Sequence, residues 1–354
     1  MLKKISLGFL VVLSFLSGCA SQTTASSDTS AMTLVFTNGR FLETESCDCS
    51  MLNWGGLERE WTWRQQLSGV SGEHSLSLTA GPNFVPHPLS AFSQEQTAMN
   101  ARAERLLKSL AAMNFRALGV SYEDLQFGVA ELKTLATQTP IAFVNANIVD
   151  KKSGTPLFAP FVEMEVAGTT LWVTGLSHRG TVAASTGATV KDPAASLKAV
   201  LTAHPPGDRM VIVLSSLDAT EREALAQVPR VNLILGAVAG EEIPGVEQLS
   251  SGQLFMSPPN RGRAVVTLKM DVPKSAGAKT FFNAETNAAL MAKKQTLKRD
   301  TKNRKIASDL KKIDAILNAD TGSAVEYEVT TTNLDNTYDA KSETPLTAYV
   351  KDLK

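Results

Sequence analysis

The sequence has few cysteines, few histidines and no net charge. Its 354 residues include three cysteines and four histidines, and 35 basic residues are balanced by 35 acidic ones. Because binding to the phosphates of nucleic acid depends on positive charge, this balance excludes a global field that would attract a polyanion, and we expect no nucleic-acid partner. A hydrophobic content of 43% supports a well-filled core.

The N-terminus has the organisation of an export signal. Lys3 and Lys4 precede the apolar run Ile5–Leu16, and a charged segment followed by a hydrophobic one is typical of such signals. The run is shorter than the roughly 20 apolar residues that a transmembrane helix needs. The sequence therefore predicts a signal peptide over residues 1–18 and not a retained membrane span.

This signal ends on the tetrapeptide LSGC, which resembles the lipobox of bacterial lipoproteins. The resemblance implies that Cys19 becomes the lipidated first residue and that acyl chains hold the protein on a membrane. An uncleaved signal is the alternative. Residues 19–31 are small and polar, as a flexible tether requires. Ala20 after the cysteine implies sorting to the outer membrane of a bacterial envelope, with the protein facing the periplasm.

Once Cys19 is lipidated, Cys47 and Cys49 are the remaining thiols. In an oxidising compartment, two thiols separated by one residue can form a small strained disulfide or contribute to a soft-metal site. Two thiolates alone make an incomplete zinc site, because four ligands are the rule. The sequence leaves open whether the pair only holds its loop or takes part in thiol chemistry.

Short β-rich segments alternate with helical segments, which predicts an α/β body with a layered sheet. Strands are predicted over Met32–Thr37, His74–Thr79, Arg116–Val120, Ile141–Asn145, Met210–Leu214 and Val231–Leu235. Helices are predicted over Gln94–Asn114, from an N-cap at Ser121 with Asp124 at N3 through Ala136, and from Asp192-Pro193 to Ala203.

The character of the chain changes after Met270. Residues 283–318 are helix-like and rich in lysine and arginine. A solvated helix face is one interpretation, and contact with a partner or an anionic bilayer is another. The tail from Ser323 predicts one more strand and a polar end. The predicted division is thus a main domain over residues 32–272 and a helical extension with a polar tail over 273–354.

The stretch Phe143–Leu176 resembles the bacterial periplasmic 5′-nucleotidases of the calcineurin-like metallophosphoesterase superfamily. A strand-like run, a Lys-Lys-Ser-Gly turn and a hairpin with the arms FVEMEV and TTLWVTGL follow one another as the corresponding segments do in that family. The likeness continues in Val120–Gly128, Val231–Glu241 and Ser257–Met270. It implies a four-layer sandwich of two mixed β-sheets flanked by helices, here with a C-terminal helical extension.

The resemblance also implies a dinuclear metal centre, but its ligands are missing. Such enzymes hold two ions about 3.5–4 Å apart with Asp, His and Asn side chains at strand ends. We expect no dimetal cofactor and no two-metal phosphatase mechanism, because this chain offers no side chains there to neutralise two dications. The corresponding positions are Gly39, Phe41, Pro82, Ser216, Val238 and Gly240, and those of the third motif fall near Tyr122 and Glu123.

Among the histidines, His178 is the candidate for a chemical role. It follows a predicted strand end that faces the expected crevice, with Arg179 beside it. A structural role is the simpler interpretation of a single loop histidine. His74, His87 and His204 have the sequence context of ordinary surface or loop residues.

Two further features are candidates for anion binding. The loop LETESCDCS…GGLERE resembles one in a subgroup of exported metallophosphoesterase-like proteins, and Gly55 and Gly56 could present backbone N–H groups at the start of a helix. Arg261 and Arg263 provide two cations for a phosphate or a carboxylate. An ordinary turn and salt-bridged surface arginines are the alternatives.

Together these features indicate a lipid-anchored pseudoenzyme that acts as a non-catalytic binding or scaffolding module. Its ligand, a small molecule or a protein, is not identified by the sequence. The alternative is a residual hydrolase of 5′-nucleotidase type, or a thiol-dependent activity, centred on Cys47 and Cys49 with His178. A third hypothesis is a structural envelope protein that uses residues 283–318 for contact.

Overall fold

A computed structural model describes residues 29–46, 53–67, 72–86, 96–238, 240–249, 253–273, 280–282, 291–292, 294–297, 310 and 324–347. In chain order its strands are β1 (Thr29–Asn38), β2 (Ser75–Ala80), β3 (Phe115–Gly119), β4 (Ala142–Val144), β5 (Ile148–Asp150), β6 (Val162–Val166), β7 (Thr169–Ser177), β8 (Ala188–Val190), β9 (Met210–Ser216), β10 (Val231–Leu235), β11 (Ile243–Gln248), β12 (Leu254–Ser257), β13 (Ala264–Pro273), β14 (Thr280–Phe282) and β15 (Ala324–Asn333). The helices are α1 (Leu57–Gln66), α2 (Gln96–Ala112), α3 (Val129–Thr137), α4 (Pro193–Ala203) and α5 (Ala219–Ala226). None of these helices combines the length and the apolar character needed to cross a membrane.

The strands form two large mixed sheets. The first has the order β14-β15-β13-β1-β2-β3-β4, the second has the order β11-β12-β10-β9-β7-β6, and β5 pairs separately with β8. In the first sheet β1 to β4 are parallel to their neighbours in that series, whereas β13 is antiparallel to β1. In the second sheet β7, β9, β10 and β12 are parallel. The carboxyl ends of the parallel strands therefore lie along one edge of each sheet.

Apolar side chains on the inner faces of both sheets form the central core. Leu34 and Leu78 of the first sheet and Leu214 and Leu235 of the second belong to one buried cluster. Helices α2 and α3 contribute to a second cluster on the outer face of the first sheet, and α4 and α5 to a third on the outer face of the second. The four layers are helices, sheet, sheet and helices, which is the fold class predicted from the sequence.

The predicted hairpin and the predicted helix at Asp192 are confirmed. The two hairpin arms are β6 and β7, which pair antiparallel with Val162 opposite Val173. The Asp192 side chain accepts the N–H of Ala195 at 2.8 Å and so caps α4. These features depend on local sequence alone, which explains why the sequence predicts them well.

The continuous helix predicted from an N-cap at Ser121 through Ala136 is wrong, although the predicted capping contacts form. The Asp124 N–H donates to the Ser121 hydroxyl at 3.4 Å, and the Ser121 N–H donates to the Asp124 carboxylate at 2.9 Å. A 3₁₀ turn spans Glu123–Phe127, and α3 begins only after Gly128. Gly128 has a φ of 115°, a backbone conformation that favours glycine and separates the two elements. The Asp124 carboxylate also serves a long-range contact described below.

The domain boundary predicted at residue 272 cuts through a continuous sheet. Strand β15 pairs antiparallel with β13, from Asn333 opposite Ala264 to Glu326 opposite Asp271. Without β15, the long strand β13 would expose a row of unpaired backbone groups. The strand predicted after Ser323 is thus confirmed, but it is part of the main sheet. Most of the helix predicted over 283–318 lies outside the described residues.

Candidate functional site

The carboxyl ends of the parallel strands of both sheets meet at one edge of the sandwich. Gly236, directly after β10, lies so near the first sheet that a Cβ atom there would stand 2.6 Å from the Cβ of Ala80. Asn38, the last residue of β1, donates its Nδ2 hydrogen to the Ser257 hydroxyl at 3.1 Å. Loops from both sheets therefore gather at this edge, which is the usual place for ligand sites in α/β sheets.

The positions predicted to correspond to metal ligands lie at this edge, and apart from Glu123, next to Tyr122, none of them carries a carboxylate or an imidazole. They sit at strand ends or on the loops that follow. They are Gly39 and Phe41 after β1, Pro82 after β2, Tyr122 after β3, Ser216 at the end of β9, and Val238 and Gly240 after β10.

Neutral and apolar groups occupy several of these positions. The Phe41 side chain is buried, and its ring lies against Gly39, where a Cβ atom would stand 3.0 Å from the ring. The backbone N–H of Phe41 donates to the Pro82 carbonyl at 3.2 Å. The Ser216 hydroxyl is buried, and no group among the described residues forms a hydrogen bond with it. A hydroxyl is a weak, neutral ligand compared with a carboxylate or an imidazole.

Asp124 is a buried carboxylate near this edge, but its oxygens are already used. It accepts the backbone N–H groups of Asn83 and Phe84 at 2.7 Å each, and the N–H and hydroxyl of Ser121 at 2.9 and 3.1 Å. Burial raises the pKa of Asp124, and these four donors oppose that effect. The carboxylate therefore ties the loop after β2 to the loop after β3.

A second set of hydrogen bonds holds Ser177, the last residue of β7. Asn147 accepts the Ser177 N–H at 2.9 Å and donates to the Ser177 carbonyl at 2.7 Å. The Ser177 hydroxyl in turn accepts the Tyr122 N–H at 2.7 Å. Loops from both sheets are thus connected through protein groups.

His178, the candidate from sequence, begins the loop after β7 and faces two carboxylates. Its Nδ1 lies 2.8 Å from Glu221 Oε2 and 3.5 Å from Asp218 Oδ2. The backbone N–H of His178 donates to the Ser216 carbonyl at 3.2 Å. The Tyr122 ring packs edge-on against the imidazole, with 5.9 Å between ring centroids. We call His178, Asp218 and Glu221 the histidine–carboxylate cluster.

Sequence analysis did not single out the two carboxylates of this cluster. Asp218 is the N-cap of α5, where its Oδ1 accepts the N–H of Glu221 at 2.8 Å. The pattern Asp-x-x-Glu before a helix was a readable signal of a helix start. The contact of these two carboxylates with His178 could not be predicted from the sequence, because it joins residues about 40 positions apart across β7 and β9.

Glu123 lies beside the cluster and has an unusual carboxyl group. Burial raises the pKa of Glu123 to about 7, with hydrogen bonds from its own backbone N–H and from Ser121 opposing the rise. The nearby Asp124 also raises this pKa, and His178 lowers it. Within the part of the chain that the structure describes, Glu123 Oε2 is enclosed without a hydrogen-bond partner. The effect of His178 on this pKa shows that the two side chains interact electrostatically.

The two arginines predicted to bind an anion lie on the loop between β12 and β13. Arg261 forms an ion pair with Glu43, with 2.7 Å between Nη2 and Oε1. This contact agrees with the alternative interpretation, in which the arginine forms a salt bridge within the protein. Burial lowers the pKa of Arg263, the neighbouring Arg261 lowers it further, and Glu43 and Glu242 oppose both. Arg261 therefore has a carboxylate partner within the protein.

The paired glycines pack against the same loop. A Cβ atom at Gly55 would stand 3.1 Å from the Gly262 carbonyl, and the Gly55 N–H donates to the Leu334 carbonyl at 2.7 Å. At Gly56 a Cβ atom would stand 2.9 Å from the Ser46 nitrogen. The Gly55 donor is thus used within the protein, and close packing explains both glycines.

A buried charge network lies under the loop after β1. Glu60 on α1 binds Arg40 through one oxygen and Arg64 through the other, and all three side chains are at most 4% exposed. The guanidinium groups of Arg40 and Arg64 also lie 5.6 and 4.9 Å from the centroid of the Phe115 ring. The network fixes the side chain of Arg40, which directly follows Gly39.

Several residues named from the sequence lie outside the described ranges. These are Cys19, Cys47, Cys49 and His87. His74 and His204 are exposed, as predicted, and His204 lies beside the Phe161 ring.

Comparison with known proteins gives matches only at the level of structure. No protein-family model and no curated protein matches this sequence. Among solved structures, the sulfate thiohydrolase SoxB of Thermus thermophilus is 13% identical with a TM-score of 0.62, covering 91% of this chain and 60% of that one. The NAD nucleotidase NadN of Haemophilus influenzae is 15% identical with a TM-score of 0.55, covering 81% of this chain and 60% of that one.

A third match covers most of both chains. The calcineurin-like phosphoesterase YfkN of Bacillus subtilis is 14% identical with a TM-score of 0.54, covering 71% of this chain and 87% of that one. At such low identities these matches establish the fold, which is that of the calcineurin-like phosphoesterases and 5′-nucleotidases. The present chain spans about 60% of the length of NadN and of SoxB.

Proposed function

We propose that this chain, which has the calcineurin-like phosphoesterase fold, is an exported, lipid-anchored binding or scaffolding module of the cell envelope that has lost the dinuclear centre. One observation carries the proposal. Apart from Glu123, every position predicted to supply a metal ligand holds a glycine or a neutral side chain, although the loops meet at the edge where such a centre would form.

Electrostatics explains why these residues do not fit two ions. Two adjacent dications repel each other, and in a partly desolvated crevice only several anionic or strongly coordinating ligands offset that repulsion. The side chains of Phe41, Pro82 and Val238 have no oxygen, nitrogen or sulfur atom that could bind an ion. The buried Asp124 carboxylate accepts four hydrogen bonds from the protein. We therefore derive no reaction step through a dinuclear centre.

A binding role agrees with how the loops are held. The contacts of Asp124 join two loops of the first sheet, and those of Asn147 join the first sheet to the end of β7 in the second, through hydrogen bonds that need no bound ion. Loops fixed in this way present a defined surface at low entropic cost on binding. The ligand is a small molecule or a protein of the envelope.

We expect the mature chain in detergent to leave 5′-nucleotides and aryl phosphates intact when Mn²⁺, Zn²⁺ or Fe²⁺ is added. Phosphate release measured over many hours should equal the blank. The His178→Gln variant serves as the control, because a trace rate that persists in it comes from a contaminant or from a site without His178. Turnover that depends on added metal, or an exchange-coupled dinuclear signal in the electron paramagnetic resonance spectrum of the Mn²⁺-loaded protein, would overturn the proposal.

The lipid anchor has its own test. We expect the unchanged protein to sediment with membranes and to need detergent for release, whereas Cys19→Ser should move to the soluble fraction because it has no acylated cysteine. Cys47→Ser is the matched control and should remain with membranes. Membrane retention of Cys19→Ser after a salt wash would show that something other than acylation at this residue holds the protein.

A further inference from the structure

We propose that the histidine–carboxylate cluster of His178, Asp218 and Glu221 binds one divalent transition-metal ion, such as Zn²⁺ or Mn²⁺. This site differs from the dinuclear centre treated above, because none of its members occupies a position assigned to that centre. A group of at least three His, Cys, Asp or Glu side chains could share an ion if their ligand atoms lie close together. Among the described residues, these three side chains meet that condition.

The distances within the cluster suit a single ion. A metal with bonds of about 2.0–2.2 Å to nitrogen and oxygen places neighbouring ligands about 3.0–3.4 Å apart in octahedral or tetrahedral geometry. His178 Nδ1 lies 2.8 Å from the Glu221 oxygen and 3.5 Å from the Asp218 oxygen, and the three donor atoms lie within 4.8 Å of one another. Small shifts of side chains would therefore close the set around an ion.

Each carboxylate uses one oxygen to accept a backbone hydrogen bond, and its other oxygen faces His178. In Asp218, Oδ1 accepts an α5 backbone N–H at 2.8 Å, which leaves Oδ2 facing the imidazole. In Glu221, Oε1 accepts the backbone N–H of Arg179 at 3.1 Å, and Oε2 faces the imidazole. Partners of this kind orient metal ligands and raise affinity. The backbone of His178 is fixed as well, by its hydrogen bond to the Ser216 carbonyl.

The balance of charge also favours a cation. Arg179 is shared between Glu221 and Asp192, at 3.5 and 3.7 Å, so it does not neutralise all the carboxylates around it. The carboxylates of Asp218, Glu221 and Asp192 thus outnumber the one guanidinium that pairs with them among the described residues.

The donor types select the class of ion. An imidazole with two carboxylates suits borderline ions such as Zn²⁺ and Mn²⁺ better than Ca²⁺ or Mg²⁺, which prefer oxygen donors alone. His178 and Asp218 are 29% and 37% exposed, so an ion can reach the cluster from solvent and can keep water ligands there.

The experiment is calorimetric titration of the mature full-length chain with Mn²⁺ and with Zn²⁺. It uses a Cys47→Ser, Cys49→Ser background so that thiolates do not compete for the ion. We expect one ion per chain. Asp218→Asn should weaken binding at least about tenfold, and it keeps a side-chain oxygen that can cap α5. His178→Gln should abolish binding. Glu223→Gln, on an exposed position of the same helix, should bind as the parent does.

The outcomes are separable from those of the proposed function. Absence of one-to-one binding for both ions, or unchanged binding in a folded His178→Gln, would overturn the inference. A mononuclear Mn²⁺ spectrum that disappears in His178→Gln would support it, and phosphoesterase activity bears only on the proposed function. If His178→Gln fails to fold by circular dichroism, Asp218→Asn decides the result.

Discussion

Replacing Glu60 with glutamine should lower the free energy of unfolding by about 3–5 kcal/mol, the usual cost of removing one partner from a buried ion pair. Glu60 is fully buried and binds both Arg40 and Arg64. Glutamine keeps the shape of the side chain without its charge, so two buried guanidinium groups would lose their counter-ion. Urea denaturation followed by circular dichroism measures the difference.

Glu104→Gln is the matched control for this change. Glu104 lies on the exposed face of α2, and its carboxylate is 4.0 Å from the Lys108 amine. Exposed pairs of this kind contribute about 0–1 kcal/mol because water and salt screen them. A Glu60→Gln loss no larger than the Glu104→Gln loss would contradict the importance of the buried network.

The same substitution has a pH signature. Burial by itself would raise the pKa of Glu60, but Arg40 and Arg64 together outweigh it and hold the pKa below its ordinary value. A carboxyl with a lowered folded-state pKa contributes stability that is fully present above its unfolded pKa of about 4.3 and is lost as the pH falls through the folded value. The difference between the parent protein and Glu60→Gln should therefore be largest near neutral pH and shrink in acid.

Replacing Asp124 with alanine should cost a comparable amount, about 3–5 kcal/mol. Three backbone N–H groups, those of Asn83, Phe84 and Ser121, would lose their acceptor inside the protein. Each unsatisfied buried donor costs about 1–3 kcal/mol, reduced where a water molecule can enter the space left by the carboxylate. Thermal and urea unfolding of the variant provide the measurement.

Asp208→Ala controls for the loss of a carboxylate as such. Asp208 is exposed, and surface substitutions of this kind usually change stability by less than about 0.5 kcal/mol. Faster hydrogen exchange at Asn83, Phe84 and Ser121 in Asp124→Ala would locate the loss at the tie between the two loops. Equal losses in the two aspartate variants would show that Asp124 does not hold these loops.

Much of the fold was predictable because it depends on short-range patterns. The strands β1, β2, β9 and β10, the β6–β7 hairpin and the capped start of α4 all follow from apolar runs, turn residues and a single cap. The prediction failed for the helix expected from Ser121 through Ala136, because Gly128 interrupts it. Asp124 makes the predicted capping contact with Ser121, and its carboxylate also binds backbone groups about 40 residues earlier in the chain.

The sequence singled out one member of the histidine–carboxylate cluster, His178, from four histidines. The assignment of positions to the missing metal ligands stays a prediction. The sequence did not indicate Asp218 and Glu221, because only the parallel pairing of β7 with β9 brings the start of α5 beside His178. Glu60 likewise gave no signal, since a glutamate on a short helix is ordinarily solvated.

The sequence by itself determined which residue types follow each strand, and this is the basis of the prediction that a dinuclear centre lacks its ligands. It also determined the order of strands and helices, since hydrophobic period and turn chemistry are local. Tertiary structure alone decided which charged groups meet. Ion pairs and clusters form between residues far apart in the chain, and their distances depend on sheet register and helix packing, which no local pattern specifies.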